Sequence, residues 1–82
     1  MLLQYIEAAL ESARYELFQE DGTFYAEIPL CPGVYANEPT LEGCRRELAS
    51  VLEDWILVRV ARGLPLPEIT GLKLEVGREE AA

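Results

Sequence analysis

Residues 14–28, RYELFQEDGTFYAEI, alternate aromatic and aliphatic side chains with polar ones on both sides of an Asp21-Gly22 dipeptide. Period-two alternation belongs to half-buried strands, and Asp-Gly readily adopts the positive-φ backbone of a tight turn, so the stretch closes as an antiparallel hairpin. The spacing predicts strands over 14–19 and 23–28. A two-residue loop would set Phe18 opposite Tyr25, Leu17 opposite Ala26, Glu16 opposite Glu27 and Tyr15 opposite Ile28. One face then carries Tyr15, Leu17, Phe24, Ala26 and Ile28 and is the core face. The other carries Glu16, Phe18, Tyr25 and Glu27. On that second face two like charges sit directly opposite each other, which is unfavourable unless solvent or a cation intervenes. It is therefore wet, covered by another element, or used for binding.

The rest of the chain follows from what adjoins the hairpin. Before it, Leu2, Leu3, Ile6, Ala9, Leu10 and Ala13 share one side of a short helix, with Gln4, Glu7 and Glu11 on the other. After it, Pro29 and Pro32 remove ladder donors and Gly33 turns the chain, leaving residues 34–36 as a short third strand. Pro39 and Thr40 then mark the start of a helix running from Leu41 to about Arg62, roughly 33 Å long at 1.5 Å per residue. Gly63 is placed to cap it, and Pro65 and Pro67 prevent its resumption. Leu72, Leu74 and Val76 alternate with Lys73 and Glu75 in a final strand.

The predicted fold class is α+β: a three-to-four-stranded, mainly antiparallel sheet on one long helix, in the order α-β-β-β-α-β. No linker or repeat divides residues 1–82, which are read as a single domain. A core of this size is small, burying about 60–65% of the surface of the unfolded chain, so self-association is an expected aid to stability. The long helix carries two apolar stripes. Leu41, Cys44, Leu48, Val51, Leu52, Trp55 and Val58 would dock on the sheet. Ile56, Leu57, Val60 and Leu64, nearly opposite, would be covered by the first helix or final strand of the same chain, or by a second subunit in a homodimer or homotetramer.

Chemistry is poorly supplied. The chain has no histidine, so neither Cys31 nor Cys44 has the usual base to hold a thiolate. Two cysteines thirteen residues apart are not a zinc set, and no glycine-rich phosphate loop is present. Glu16 and Glu27 form one carboxylate pair, fewer than a magnesium-dependent nuclease gathers. No catalytic residue, metal or cofactor is expected. The net charge of −8 repels phosphate backbones and suits a basic protein partner better than direct nucleic-acid contact. No apolar run is long enough to span a membrane and no signal sequence is recognisable, so a reduced, cytoplasmic protein is expected.

The ordered combination of Gly22, Ile28-Pro29, Pro32-Gly33, Thr40-Leu41-Glu42, Asp54-Trp55 and Gly63-Leu64-Pro65-Leu66-Pro67 resembles the HicB-like antitoxin family from about Tyr15 to Val76. Leu30, Glu38 and Gly43 depart from the residues common there, all in or beside the loop that enters the long helix. The resemblance implies a partial RNase H-like sheet lacking catalytic carboxylates. It also implies a non-enzymatic function, namely to sequester a small, basic, RNA-cleaving toxin of the HicA-like kind. Many members carry a DNA-binding module after this domain, for which the six residues beyond Val76 leave no room. Glu16, Phe18, Tyr25 and Glu27 are the expected partner face. The alternatives are a solitary oligomeric scaffold or adaptor without a toxin and, third, a magnesium-dependent nuclease.

Overall fold

A computed structural model describes residues 2–69. The elements run α1 (Leu2–Glu11), β1 (Arg14–Phe18), β2 (Thr23–Glu27), β3 (Tyr35–Glu38) and α2 (Leu41–Ala61). The strands form one antiparallel sheet in the order β1-β2-β3. This is the α+β arrangement expected from the sequence. The strand predicted around Leu72–Val76 lies outside the described residues.

The hairpin corrects the predicted register. Gln19–Gly22 form a four-residue loop, and the pairs are Arg14 with Glu27, Tyr15 with Ala26, Glu16 with Tyr25, Leu17 with Phe24 and Phe18 with Thr23. Gly22 adopts φ 71° and donates its N–H to the Phe18 carbonyl at 2.8 Å. Asp21 does not sit in a two-residue turn. Its Oδ1 accepts from the Thr23 N–H at 3.1 Å and the Thr23 hydroxyl at 2.7 Å. Those bonds hold the Asp21 carboxyl below its ordinary range. Because the slip is two residues, each side chain keeps its face and only its partner changes.

β2 leads into a tight loop. The Ile28 N–H donates to the Val34 carbonyl at 3.1 Å, Cys31 to Ile28 at 2.9 Å and Val34 to Cys31 at 3.0 Å, with Gly33 at φ 96°. The loop thus turns Ile28, Cys31 and Val34 into the core while Pro29, Leu30 and Pro32 face outward.

α2 begins where the side chain of Thr40 accepts from the Gly43 N–H at 2.9 Å. It ends in a Schellman motif: Leu64 donates to the Arg59 carbonyl at 2.8 Å, and Gly63, at φ 70°, to that of Val60 at 3.1 Å. The helix packs on β2 and β3 through Cys44, Leu48 and Leu52. Of the stripe predicted to face the sheet, Leu41 and Val58 are instead exposed, and Val51 and Trp55 are half-buried. The Trp55 Nε1–H ties the helix to the Pro32 carbonyl at 3.1 Å. Arg59 lies 4.8 Å above the Trp55 ring and donates to the Pro65 carbonyl at 2.8 Å.

α1 packs on α2. Its buried residues are Tyr5, Ala8 and Ala9; of the predicted side Ala9 is buried and Ile6, Leu10 and Ala13 pack half-buried against the core, whereas Leu2 and Leu3 are exposed. The polar end of Tyr5 explains why it can lie fully buried: its hydroxyl donates to the Pro67 carbonyl at 2.5 Å. The second α2 stripe is divided as a result. Ile56 is 4% exposed in the core cluster and Val60 packs against that cluster, while Leu57 and Leu64 remain exposed. Ile56 is thus covered within its own chain and is not a free surface residue.

Candidate functional site

The sheet has one packed face and one open face. Phe24, Ala26 and Ala36 point toward α2. By strand alternation Arg14, Glu16, Phe18, Thr23, Tyr25, Glu27, Tyr35 and Asn37 share the other face, where among the described residues no element packs. All four sequence-predicted partner-face residues are brought together there. The predicted opposition of Glu16 and Glu27 is not: Glu16 faces Tyr25, and Glu27 faces Arg14 on one side and Tyr35 on the other.

What organises the face is a ladder of three aromatic rings, one from each strand. Phe18 and Tyr25 stack with centroids 5.6 Å apart and planes 7° apart, and Tyr25 and Tyr35 stack at 6.2 Å and 26°. The rings sit on diagonal positions of the ladder, within reach for side chains of this length. Tyr35 completes the row and is 59% exposed. It was absent from the predicted site, although period-two alternation with buried Val34 and Ala36 was enough to place it outward.

Carboxylates flank the rings. The Tyr25 hydroxyl donates to Glu27 Oε1 at 3.0 Å, and that bond, followed by burial and the nearby charges, raises the Tyr25 hydroxyl above its ordinary value. Across the sheet, Asn37 Nδ2 donates to the Phe24 carbonyl at 2.9 Å and Thr23 Oγ1 at 3.0 Å, pinning the end of β3. The face is therefore a flat apolar row with hydrogen-bond acceptors along it. It offers stacking surface and hydrogen-bond acceptors to whatever lies on it.

The thiols lie elsewhere. Cys31 and Cys44 are both free and fully buried, and burial pushes the Cys31 thiol up to about 11 and raises that of Cys44. Cys44 Sγ lies 3.6 Å from the carbonyls of Phe24 and Ala36, the contact of a small core residue. Among the described residues no three Cys, Asp or Glu side chains converge to hold a metal ion, and no helix is long and apolar enough to cross a membrane.

Fold and face together define a small α+β domain with an open, aromatic-lined antiparallel sheet. The chain belongs to the UPF0150-like family, whose pattern it matches over residues 4–67. It is similar to TTHA0281 from Thermus thermophilus, a crystal structure 38% identical in sequence. The superposition has a TM-score of 0.87 and covers 94% of this chain and 95% of that one. None of the curated proteins matches the chain.

Proposed function

We propose that the open sheet face is a protein-docking surface and that the chain is a HicB-like, antitoxin-type domain. In the cytoplasm it would sequester a small, basic, RNA-cleaving toxin of the HicA-like kind. The observation that carries this is the Phe18–Tyr25–Tyr35 ladder, an apolar row left open by both helices and edged by Glu16 and Glu27. Exposed aromatic rows are costly to leave bare and supply rigid contact area to a partner. The acidic edge and the net charge of −8 would steer a basic ribonuclease onto that row and compete with RNA for the same cationic surface. Membership of the UPF0150-like family supports the assignment, as does the sequence resemblance described above.

The test is to mix the purified chain with a basic HicA-like ribonuclease encoded beside it and to measure binding and RNA cleavage. Cleavage falls on addition of the wild-type chain. Tyr25→Ala with Tyr35→Ala, or Glu27→Lys, weakens binding at least tenfold while the fold survives. Unchanged affinity in those variants would sink the assignment of this face. Absence of any neighbouring basic frame, together with a stable oligomer, would favour the solitary scaffold instead.

A further inference from the structure

Between the Gly63 cap and the buried Ile69 runs Leu64-Pro65-Leu66-Pro67-Glu68, a stretch in neither helix nor strand. Pro65 and Pro67 have no N–H, so at those positions the backbone can be held only through its carbonyls. A side chain holds each one. The Arg59 Nε–H of α2 donates to the Pro65 carbonyl at 2.8 Å, and the Tyr5 hydroxyl of α1 donates to that of Pro67 at 2.5 Å. Leu66 packs against the core from between these two points, while Pro65 and Glu68 are exposed.

A free thiol lies beside both attachments. Residues 65–67, Leu30 and Pro32 of the loop after β2, and Trp55 and Arg59 of α2 line one groove of about 300 Å³. Cys31, between Leu30 and Pro32 in the chain, is turned into the core and is 0% exposed. Burial raises its thiol while the charge of Arg59 draws it down, and Cys31 is, after burial, the next influence raising the Tyr5 hydroxyl. Trp55 ties the loop to the same cluster, through its Nε1–H on the Pro32 carbonyl at 3.1 Å and the Arg59 guanidinium 4.8 Å above its ring. The other free thiol is sealed differently. Cys44 lies between α2 and the sheet, 3.6 Å from the Phe24 and Ala36 carbonyls, so reaching it means parting α2 from β2 and β3. A short stretch fastened by side-chain bonds opens at less cost than a helix packed on a sheet.

We propose that residues 64–68 form a strap that lifts on its own, with Tyr5 and Arg59 as its catches, and that lifting it uncovers Cys31 while Cys44 stays sealed. Leu48 and Leu52 touch neither catch in this scheme, and the packing of α2 on the sheet persists when the strap is open. The fold thus holds one thiol gated by a local opening and one that is reached only when α2 leaves the sheet. This inference does not rest on the toxin assignment, and its test uses no toxin.

The test is alkylation of the full chain by iodoacetamide, with initial rates read at each cysteine by mass spectrometry and divided by the rate of the same thiol in the urea-unfolded chain. Native Cys31 is modified about tenfold or more faster than native Cys44. Its rate is flat at low urea, because lifting a short strap exposes little surface, whereas the Cys44 rate climbs with urea. Tyr5→Phe and Arg59→Gln each leave a carbonyl without its donor and speed Cys31 modification roughly tenfold. Thr40→Ala, at the far end of α2, speeds Cys44 modification and leaves that of Cys31 unchanged. This last variant separates the strap from global unfolding, since a thiol reached only through the unfolded chain follows every destabilising change. Equal protection of the two thiols with the same urea slope overturns the proposal. So does a Cys31 rate that rises with Thr40→Ala, or one that ignores both Tyr5→Phe and Arg59→Gln.

Discussion

The rings of Phe18 and Tyr25 lie 5.6 Å apart and nearly parallel, on neighbouring strands and on the side of the sheet away from α2. Tyr25 also stacks on Tyr35, so it is the middle member of the row. Aromatic pairs contribute about 0.5–1.5 kcal/mol beyond area burial. Tyr25→Ala, which removes both contacts, therefore lowers unfolding free energy by about 1–2.5 kcal/mol, and Phe18→Ala or Tyr35→Ala by roughly half as much. Urea unfolding measures this. If the Tyr25 variant cost no more than either neighbour, the row would not act as a unit.

The two sides of α2 separate sharply in cost. Leu48, Leu52 and Ile56 are at most 4% exposed, whereas Leu57 is 65% exposed. Truncating any of the first three to Ala costs about 2–5 kcal/mol, while Leu57→Ala changes monomer stability by less than about 0.5 kcal/mol. Thermal melts of the four variants give the ranking, and a large effect at Leu57 would contradict the exposure.

Thr40 and Gly43 are coupled at the start of α2. Thr40→Ala removes the cap and costs about 1 kcal/mol. A Cβ at Gly43 would come 2.8 Å from Thr40 Oγ1, so Gly43→Ala displaces the capping hydroxyl and loses much of the roughly 1 kcal/mol gained in helix propensity. With Thr40 already replaced by Ala, the same glycine change stabilises by about 0.5–1 kcal/mol. A double-mutant cycle by urea unfolding checks this; simple additivity would refute it.

Stability falls at alkaline pH for an identifiable reason. Burial pushes the Tyr5 hydroxyl from 10.0 up to about 12 and the Cys31 thiol from 9.0 up to about 11. The folded state thus holds both protons more tightly than the unfolded state. Their contribution is complete below pH about 9 and is lost as pH rises, between about 9 and 11 for Cys31 and about 10 and 12 for Tyr5. The urea midpoint should decline across that window, and Cys31→Ala should flatten its lower half. At pH 8 only about one Cys31 thiol in a thousand is ionised in the native state, so a thiol reagent reacts with it far more slowly than after unfolding.

The candidate site was legible in part. Alternation about Asp21-Gly22 placed Glu16, Phe18, Tyr25 and Glu27 on one face because that face depends only on the period of the strand. Tyr35 obeys the same rule across β3. The opposition of Glu16 to Glu27 was not legible, because register depends on loop length. Here the Asp21–Thr23 bonds and the Gly22–Phe18 bond form a four-residue loop where the dipeptide suggested two.

By itself the sequence determined the elements and their ends: hairpin, proline-bounded loop, Thr40-capped helix and Gly63 terminus. Each rests on the conformational preference of a few adjacent residues. Only the tertiary structure decided which apolar surface is covered. α2 lies over β2 and β3, and α1 takes up Ile56 while Leu57 stays exposed among the described residues. Two stripes of similar hydropathy are indistinguishable along the chain, because burial is settled by which neighbour arrives to exclude water, and that is a property of the packed fold.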